Sequence, residues 1–143
     1  VVEVSRETGA IKILQYVGVH DAGKIVNPML AEGQVHGAVA QGLGQALLED
    51  MAYSPEGQPL AGSLMDYALP TAANTPASTF ETMETPAPFT GLGIKGIGAL
   101  PTLAAPPAVL NAVMDAISQT GIRHLDTPLT AEKVWHALHD NAP

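Results

Sequence analysis

Residues 27–50, NPMLAEGQVHGAVAQGLGQALLED, carry the pattern of one long helix. Asn27 can cap the free amides at its start, and Pro28 at the first helical position loses no needed hydrogen bond. A helix from Pro28 to about Asp50 would be roughly 34 Å long, because each residue adds ~1.5 Å. The face predicted to meet a hydrophobic core consists of Val35, Val39, Leu43 and Ala46.

A second face of this helix is rich in glycine and glutamine. At ~100° per residue, one quadrant holds Gly33, Gly37, Gln41 and Gly44, and an overlapping row of amides consists of Gln34, Gln41 and Gln45. Each interior glycine costs about 0.8–1.0 kcal/mol relative to alanine, so another group should approach this backbone closely. That group is either a packed helix or strand, or a bulky cofactor with a Gln amide hydrogen-bonding at its edge. The pattern alone leaves both open.

The rest of the chain predicts short strands, loops and two further helices. Val1–Val4 and Ile11–His20 are rich in β-branched residues and flank a glycine turn, which predicts a hairpin. A second hairpin or tight excursion is expected over residues 51–60. Further short strands are expected at Leu64–Leu69 and Thr79–Glu84, and helices at about Pro107–Gln119 and from Thr130 onward. These elements predict one α+β domain over residues 1–143, with a mixed or antiparallel sheet and two to three helices.

Composition excludes several classes of function. The chain has 14 acidic residues against 6 Lys and Arg, a formal net charge of −8, and no basic cluster that could follow a nucleic-acid backbone. Without cysteine, it has no thiolate zinc site, iron–sulfur ligation or disulfide of its own. No apolar run reaches the length of a membrane span and no signal peptide opens the chain. We expect a cytoplasmic location, with a periplasmic one not excluded.

Residues 91–96, GLGIKG, formally satisfy the dinucleotide-binding pattern GxGxxG. That pattern needs a preceding strand and a helix that opens within it, whereas Pro86 and Pro88 interrupt the approach and Pro101 follows closely. We therefore reject a dinucleotide site here. What remains is a flexible loop with one cation, Lys95, whose exposed amides could bind a polar or anionic ligand. A surface turn is the alternative, and composition alone favours it slightly.

Histidine pairs elsewhere are weaker candidates. His136 and His139 are three residues apart on the last predicted helix, a spacing that can place two metal ligands on one face, but no third ligand is nearby. His20 and Asp21 are adjacent, and neighbouring strand residues point to opposite faces, so we expect part of a turn rather than a catalytic pair. We expect no metal ligands from this chain.

Seven strings, in order along the whole chain, resemble the large subunits of the xanthine oxidase family of molybdenum hydroxylases. The strings are VNP at 26–28, EGQVHG at 32–37, AQGLGQAL at 40–47, GSLMDYALP at 62–70, KGIG at 95–98, APPA at 105–108 and DTPLT at 126–130. These strings most resemble those of the bacterial aldehyde oxidase and carbon monoxide dehydrogenase-like large subunits. The resemblance implies that residues 1–143 are the C-terminal portion of a molybdenum-cofactor-binding domain, in a subunit several times longer.

The resemblance further implies a reaction, a cofactor and partners. Members of the family hydroxylate an aldehyde or N-heterocycle, or oxidise carbon monoxide, with oxygen taken from water. Two electrons then pass from molybdenum through iron–sulfur clusters to a flavin. The implied cofactor is molybdopterin, in bacteria usually the cytosine dinucleotide, bound only with the remainder of the large subunit. The implied partners are that remainder and the iron–sulfur and FAD subunits, so this chain alone should not turn over substrate.

The resemblance also implies which residues bind the cofactor. Gln41 matches the family glutamine that hydrogen-bonds at the metal–pterin end, and Gly42 lies beside it. The loop that passes close to molybdenum is matched by Lys95, Gly96, Ile97 and Gly98.

The residue after that loop departs from the family. There a glutamate acts as general base on the metal-bound hydroxyl group or water, whereas this chain has Ala99, and the nearest downstream acid is Asp115 in the next helix. Loss of a general base typically costs ~10²–10⁴-fold in rate. Three hypotheses follow. The chain is a split or cleaved part of a working hydroxylase, or a noncatalytic degenerate homologue acting as an assembly or small-ligand-binding module, or it shares the fold alone and its glycine loop has an unrelated small-ligand role.

Overall fold

The computed structural model describes residues 1–140, and its longest element is helix α1, Pro28–Leu47. The Asn27 side chain accepts a hydrogen bond from the Leu30 amide at 3.1 Å, which confirms the predicted cap. The helix ends three residues earlier than predicted, where Leu48 leaves helical geometry and its amide still donates to the Gly44 carbonyl. The long helix is therefore confirmed, with a local correction at its end.

Helix α2, Leu100–Ala116, packs along α1 and begins seven residues before the predicted start at Pro107. The prediction of a later start is wrong because this helix accommodates three prolines. Pro101 falls in the first turn, where the missing N–H has no helical partner, and the helix also contains Pro106 and Pro107. A short 3₁₀ turn, Ser118–Thr120, follows, and helix α3, Ala131–Asp140, begins close to the predicted position.

The hydrophobic core lies between the three helices of the described chain. The predicted apolar side of α1 is buried, in one cluster with residues of α2 and α3. Leu129, in the loop before α3, is 2% exposed and its amide donates to the Ala46 carbonyl at 2.7 Å. The buried cluster consists of Val35, Val39, Leu43, Ala46, Val109, Val113, Ile117, Leu129, Val134 and Leu138.

The strands form two small pairs, one antiparallel and one parallel. Strands β1, Val2–Val4, and β2, Ile11–Ile13, make the predicted antiparallel hairpin. The predicted strand Ile11–His20 is in fact two strands, because β3, Tyr16–Asp21, leaves the hairpin and pairs in parallel with β4, Ser78–Met83. Together with the helices, these pairs confirm an α+β fold with mixed strands.

The segment between α1 and β4 is mostly loop. The predicted excursion over residues 51–60 is confirmed by a bridge between Tyr53 and Pro59 around a tight turn. The strand predicted at Leu64–Leu69 is wrong, since these residues form turns in which Tyr67 donates to a Glu49 carboxylate oxygen at 2.5 Å. Within residues 1–140, no helix combines the length and apolar character needed to cross a membrane.

Candidate functional site

The loop that contains Lys95 is attached to the connection between β3 and α1. The Lys95 amide donates to the Ala22 carbonyl at 2.8 Å, and the Lys24 amide donates to the Gly93 carbonyl at 3.2 Å. Gly23, with φ +61°, passes very close to the backbone of this loop. A Cβ atom there would lie 2.1 Å from the Gly93 carbonyl oxygen. Two segments about 70 residues apart are thereby joined at the carboxyl ends of the parallel strands.

The carboxylate of Asp21 organises this junction. One of its oxygens accepts from the Lys95 ammonium at 2.7 Å and from the Thr85 hydroxyl, and the other accepts from the Gly23 and Thr85 amides at 2.9 and 3.2 Å. Lys95, Thr85 and the backbone amides together hold the pKa of Asp21 far below its usual range, because each donor stabilises the charged form. Asp21 therefore remains ionised and paired with Lys95.

His20 and Asp21 are the last two residues of β3, so the turn expected for them is wrong. Their opposite orientation, however, is confirmed. Asp21 faces the Lys95 loop, whereas His20 is 5% exposed and contacts the Phe80 ring with centroids 5.8 Å apart. Burial lowers the pKa of the imidazole, and its Nε2 atom has no hydrogen-bond partner among the described residues.

The predicted cofactor loop reaches the glutamine row of α1. Gly98 lies beside the Gln34 side chain: a Cβ atom built on it would be 3.5 Å from the amide oxygen, an ordinary van der Waals distance. Gly96 and Gly98 are exposed, and Ile97 is half-buried. Within residues 1–140, the amides of Gly96, Ile97 and Gly98 donate to no protein oxygen. Three successive free N–H groups beside a helix face form a donor set suited to a polar or anionic ligand.

The glycine face of α1 divides into an open part and a packed part. Nothing lies within 4 Å of a Cβ position on Gly33 or Gly37, and Gln41 is exposed one turn further on. Gly44 instead is buried against Pro70 and Glu49. Close packing within the described chain therefore explains Gly44, but it does not explain Gly33 and Gly37.

Gly42 lies on another side of α1, at the crossing with α2. A Cβ atom there would lie 2.8 Å from the Ala105 Cβ atom and 2.9 Å from the Thr102 carbonyl oxygen. The Thr102 hydroxyl also donates to the Ala38 carbonyl at 3.0 Å. Gly42 thus permits the close approach of the two helices, while its predicted neighbour in the site, Gln41, points to solvent.

Ala99 is the exposed residue that directly precedes α2. Ala99 follows directly after Gly98. A longer side chain at this position would therefore extend from the N-terminal end of α2, next to the three free amides of the loop. No side chain caps α2 at Ala99. The position is open, but alanine has no group that can take up a proton.

The described chain shows no metal centre of its own. Within residues 1–140, no group of three or more His, Asp or Glu side chains has a metal-binding arrangement. His136 contacts Asp140 at 3.1 Å, and His139 stacks on Trp135 with centroids 4.3 Å apart. The two imidazoles therefore have separate local partners.

A cavity of about 370 Å³ lies behind the loop, between the first half of α1 and β4. Its lining includes His20, Phe80 and Ile97, together with Glu32 and Glu84. The structure joins Asp21 and Thr85 to Lys95, and the sequence pattern did not predict this contact. Neither residue belongs to a recognisable local motif, since their partner is 74 and 10 residues away.

The amino-acid sequence of the chain matches a known protein family. Residues 1–76 match the family described as the molybdopterin cofactor-binding domain, and the chain belongs to this family. The resemblance to molybdenum hydroxylase large subunits is thereby confirmed.

Individual relatives agree with this assignment. The chain is 37% identical over 141 residues, 99% of its length, to the carbon monoxide dehydrogenase large chain of Hydrogenophaga pseudoflava. It is 41% identical over 137 residues, 96% of its length, to the nicotine 6-hydroxylase large subunit of Paenarthrobacter nicotinovorans. It spans only 18% and 17% of these two proteins.

Solved structures show the same relation. A Cu,Mo-containing carbon monoxide dehydrogenase superposes with a TM-score of 0.94 at 32% identity, over 98% of this chain and 18% of that one. Quinoline 2-oxidoreductase from Pseudomonas putida 86 superposes with a TM-score of 0.93 at 37% identity, over 97% of this chain and 18% of that one. The fold is therefore that of one portion of each of these longer chains.

Proposed function

We propose that this chain is the C-terminal portion, residues 1–143, of the molybdenum-cofactor-binding domain of a hydroxylase large subunit. The observation that carries the proposal is that the loop of free amides passes beside Gln34, next to the open glycine face of α1. A Cβ atom built on Gly98 would lie 3.5 Å from the Gln34 amide oxygen. The family match and the similarity to several molybdenum-dependent large subunits support it. We include a cytoplasmic location in this proposal.

The residues present fit molybdopterin, a large ligand rich in polar and anionic atoms. Gly33 and Gly37 leave the backbone of α1 open to close approach. The exposed Gln41 amide can both donate and accept at the edge of the pterin. The free N–H groups of Gly96, Ile97 and Gly98 would donate to its oxygen atoms. We propose the cytosine dinucleotide form, on the basis of the bacterial relatives.

The work of these residues is to bind and to orient. When bound, molybdopterin supplies the metal centre that accepts two electrons during hydroxylation of an aldehyde or N-heterocycle, or oxidation of carbon monoxide. Gln41 holds one edge of the cofactor, while the loop amides compensate negative charge at another. Further contacts, the substrate pocket and electron acceptors belong to the remainder of the large subunit and to the iron–sulfur and FAD subunits.

Position 99 decides between a working and a noncatalytic form. Ala99 is exposed beside the loop and cannot act as general base, so we expect activity to be ~10²–10⁴-fold below that of a form with a carboxylate. This observation favours a second candidate function, in which the chain binds cofactor or assembles with partners without catalysis.

The test begins with the large subunit and its partners purified together, followed by elemental analysis for molybdenum. We expect molybdenum to be retained, and Gln41→Ala to lower its content. A complex that never contains molybdenum would contradict the proposal.

The same complex tests position 99. Ala99→Glu should raise hydroxylase activity, whereas Ala99→Gln, which has the same size but no titratable group, should not. High activity in the unaltered complex would show that another residue serves as base. Equal activity of the two variants would remove position 99 from the mechanism.

A further inference from the structure

The ammonium of Lys95 is already occupied within the chain. It lies 2.7 Å from an Asp21 carboxylate oxygen and 2.5 Å from the Thr85 hydroxyl oxygen. The Lys95 side chain is 36% exposed and that of Asp21 29%, so the pair is partly shielded from solvent. A lysine in this state offers a ligand much less net charge than a free one, because the carboxylate cancels most of its field.

The Lys95 backbone is held at the same junction. Its amide donates to the Ala22 carbonyl, so main chain and side chain are both attached to the end of β3. Immediately after Lys95, the amides of Gly96, Ile97 and Gly98 are free. The residue therefore separates an anchored segment from one whose donors are available to a ligand.

The anchor extends into the parallel strand pair. Asp21 is opposite Met83 in the register of β3 and β4, and Thr85 follows two residues later. The Thr85 hydroxyl contacts both Asp21 and Lys95, and the Thr85 amide donates to Asp21 as well. The end of the strand pair thereby determines where the loop that contains Lys95 is attached.

We propose that Asp21, Thr85 and Lys95 form a clamp that positions the amides of Gly96, Ile97 and Gly98 for the cofactor, and that the Lys95 ammonium does not itself contact the cofactor. All three are positioning residues, and the inference rests on the function proposed above. The clamp changes the predicted role of Lys95 from a cofactor contact to an internal support.

The test compares Asp21→Asn, Lys95→Met and the double variant in the assembled large subunit. Asparagine keeps the size of Asp21 and an acceptor for the Gly23 amide, so its effect reports loss of charge. Thr85→Val replaces the hydroxyl with a methyl group. It tests the clamp in place of a charge variant that fails to fold. The matched control is Lys24→Met, which removes an exposed neighbouring cation whose side chain takes no part in the contacts among Asp21, Thr85 and Lys95.

The first readout is hydrogen exchange in cofactor-free protein. The amides of Lys24 and Lys95 are protected by their bonds to the Gly93 and Ala22 carbonyls. We expect Asp21→Asn and Lys95→Met each to accelerate exchange of the backbone amides at positions 24 and 95 by about two- to fivefold. This is the range for loss of a partly exposed ion pair. Lys24→Met should leave the exchange of Lys95 unchanged. Unaltered exchange in both clamp variants would overturn the proposal.

The second readout is molybdenum content. A clamp predicts equal losses for Asp21→Asn and Lys95→Met, and no further loss in the double variant, because both break the same support. Direct binding by Lys95 predicts a large loss for Lys95→Met alone, which would refute the clamp while leaving the proposed function intact. A wild-type complex without molybdenum would instead refute the proposed function.

Discussion

Alanine substitutions along α1 separate glycines that serve the fold from glycines that serve a ligand. Gly37→Ala adds a methyl group where nothing lies within 4 Å, whereas Gly42→Ala places one 2.8 Å from the Ala105 Cβ atom. Both changes improve helix propensity by the same amount. They differ only in what the new methyl group meets, so each serves as the control for the other.

The magnitudes follow from these distances. Gly37→Ala should stabilise the cofactor-free protein by about 0.8–1.0 kcal/mol, because alanine gains helix propensity and meets no obstacle. Gly42→Ala has the same gain, but α1 and α2 must move apart, and overpacking of this kind costs about 1–3 kcal/mol. Its net effect is a loss of between about 0 and 2 kcal/mol. The two variants should therefore differ by about 1–3 kcal/mol.

Thermal unfolding of the cofactor-free protein, followed by circular dichroism, measures this difference. At this chain length we expect roughly 3–4 °C per kcal/mol, with Gly37→Ala melting above the wild type and Gly42→Ala at or below it. In the assembled large subunit, Gly37→Ala should nevertheless lower molybdenum content, because the methyl group obstructs the open face. Destabilisation of the cofactor-free protein by Gly37→Ala would refute the assignment of an open face. Unchanged molybdenum content would refute its role in cofactor binding.

Two further predictions concern the core and the buried imidazole. Leu129→Ala should destabilise the protein by about 2–5 kcal/mol in denaturant unfolding because it leaves a cavity, whereas Leu103→Ala, at a residue 74% exposed, should change stability by less than about 0.5 kcal/mol; equal effects would place the core elsewhere. Burial lowers the pKa of His20, so the unfolded chain takes up its proton first as the pH falls below about 6.5, and stability should decline from there down to the depressed folded pKa. His20→Leu should flatten this part of the stability profile measured by unfolding at several pH values, and an unchanged slope would show that another group is responsible.

Much of the candidate site could be predicted from the sequence, but not its internal support. The sequence indicates Gln41, the glycines of α1 and the Lys95–Gly98 loop, because they lie in continuous strings or in helical periodicity. Their roles in cofactor binding remain predictions. Asp21 and Thr85 are not indicated in this way, because a carboxylate at a strand end and a threonine in a loop have no periodicity. The parallel pairing of β3 and β4 brings Asp21 and Thr85 together, and the hydrogen bonds between residues 22–24 and 93–95 bring Lys95 to them.

Local interactions explain what the sequence by itself determined. The cap at Asn27, the core face of α1 and the β1–β2 hairpin depend on residues close together in the chain, so their patterns can be read from a short window. The tertiary structure decided the division of Ile11–His20 into two strands, the packed state of Gly42 and the contact of Asp21 with Lys95. These depend on which distant segments meet when the chain closes, 74 residues apart for Asp21 and Lys95, and no local preference encodes that choice.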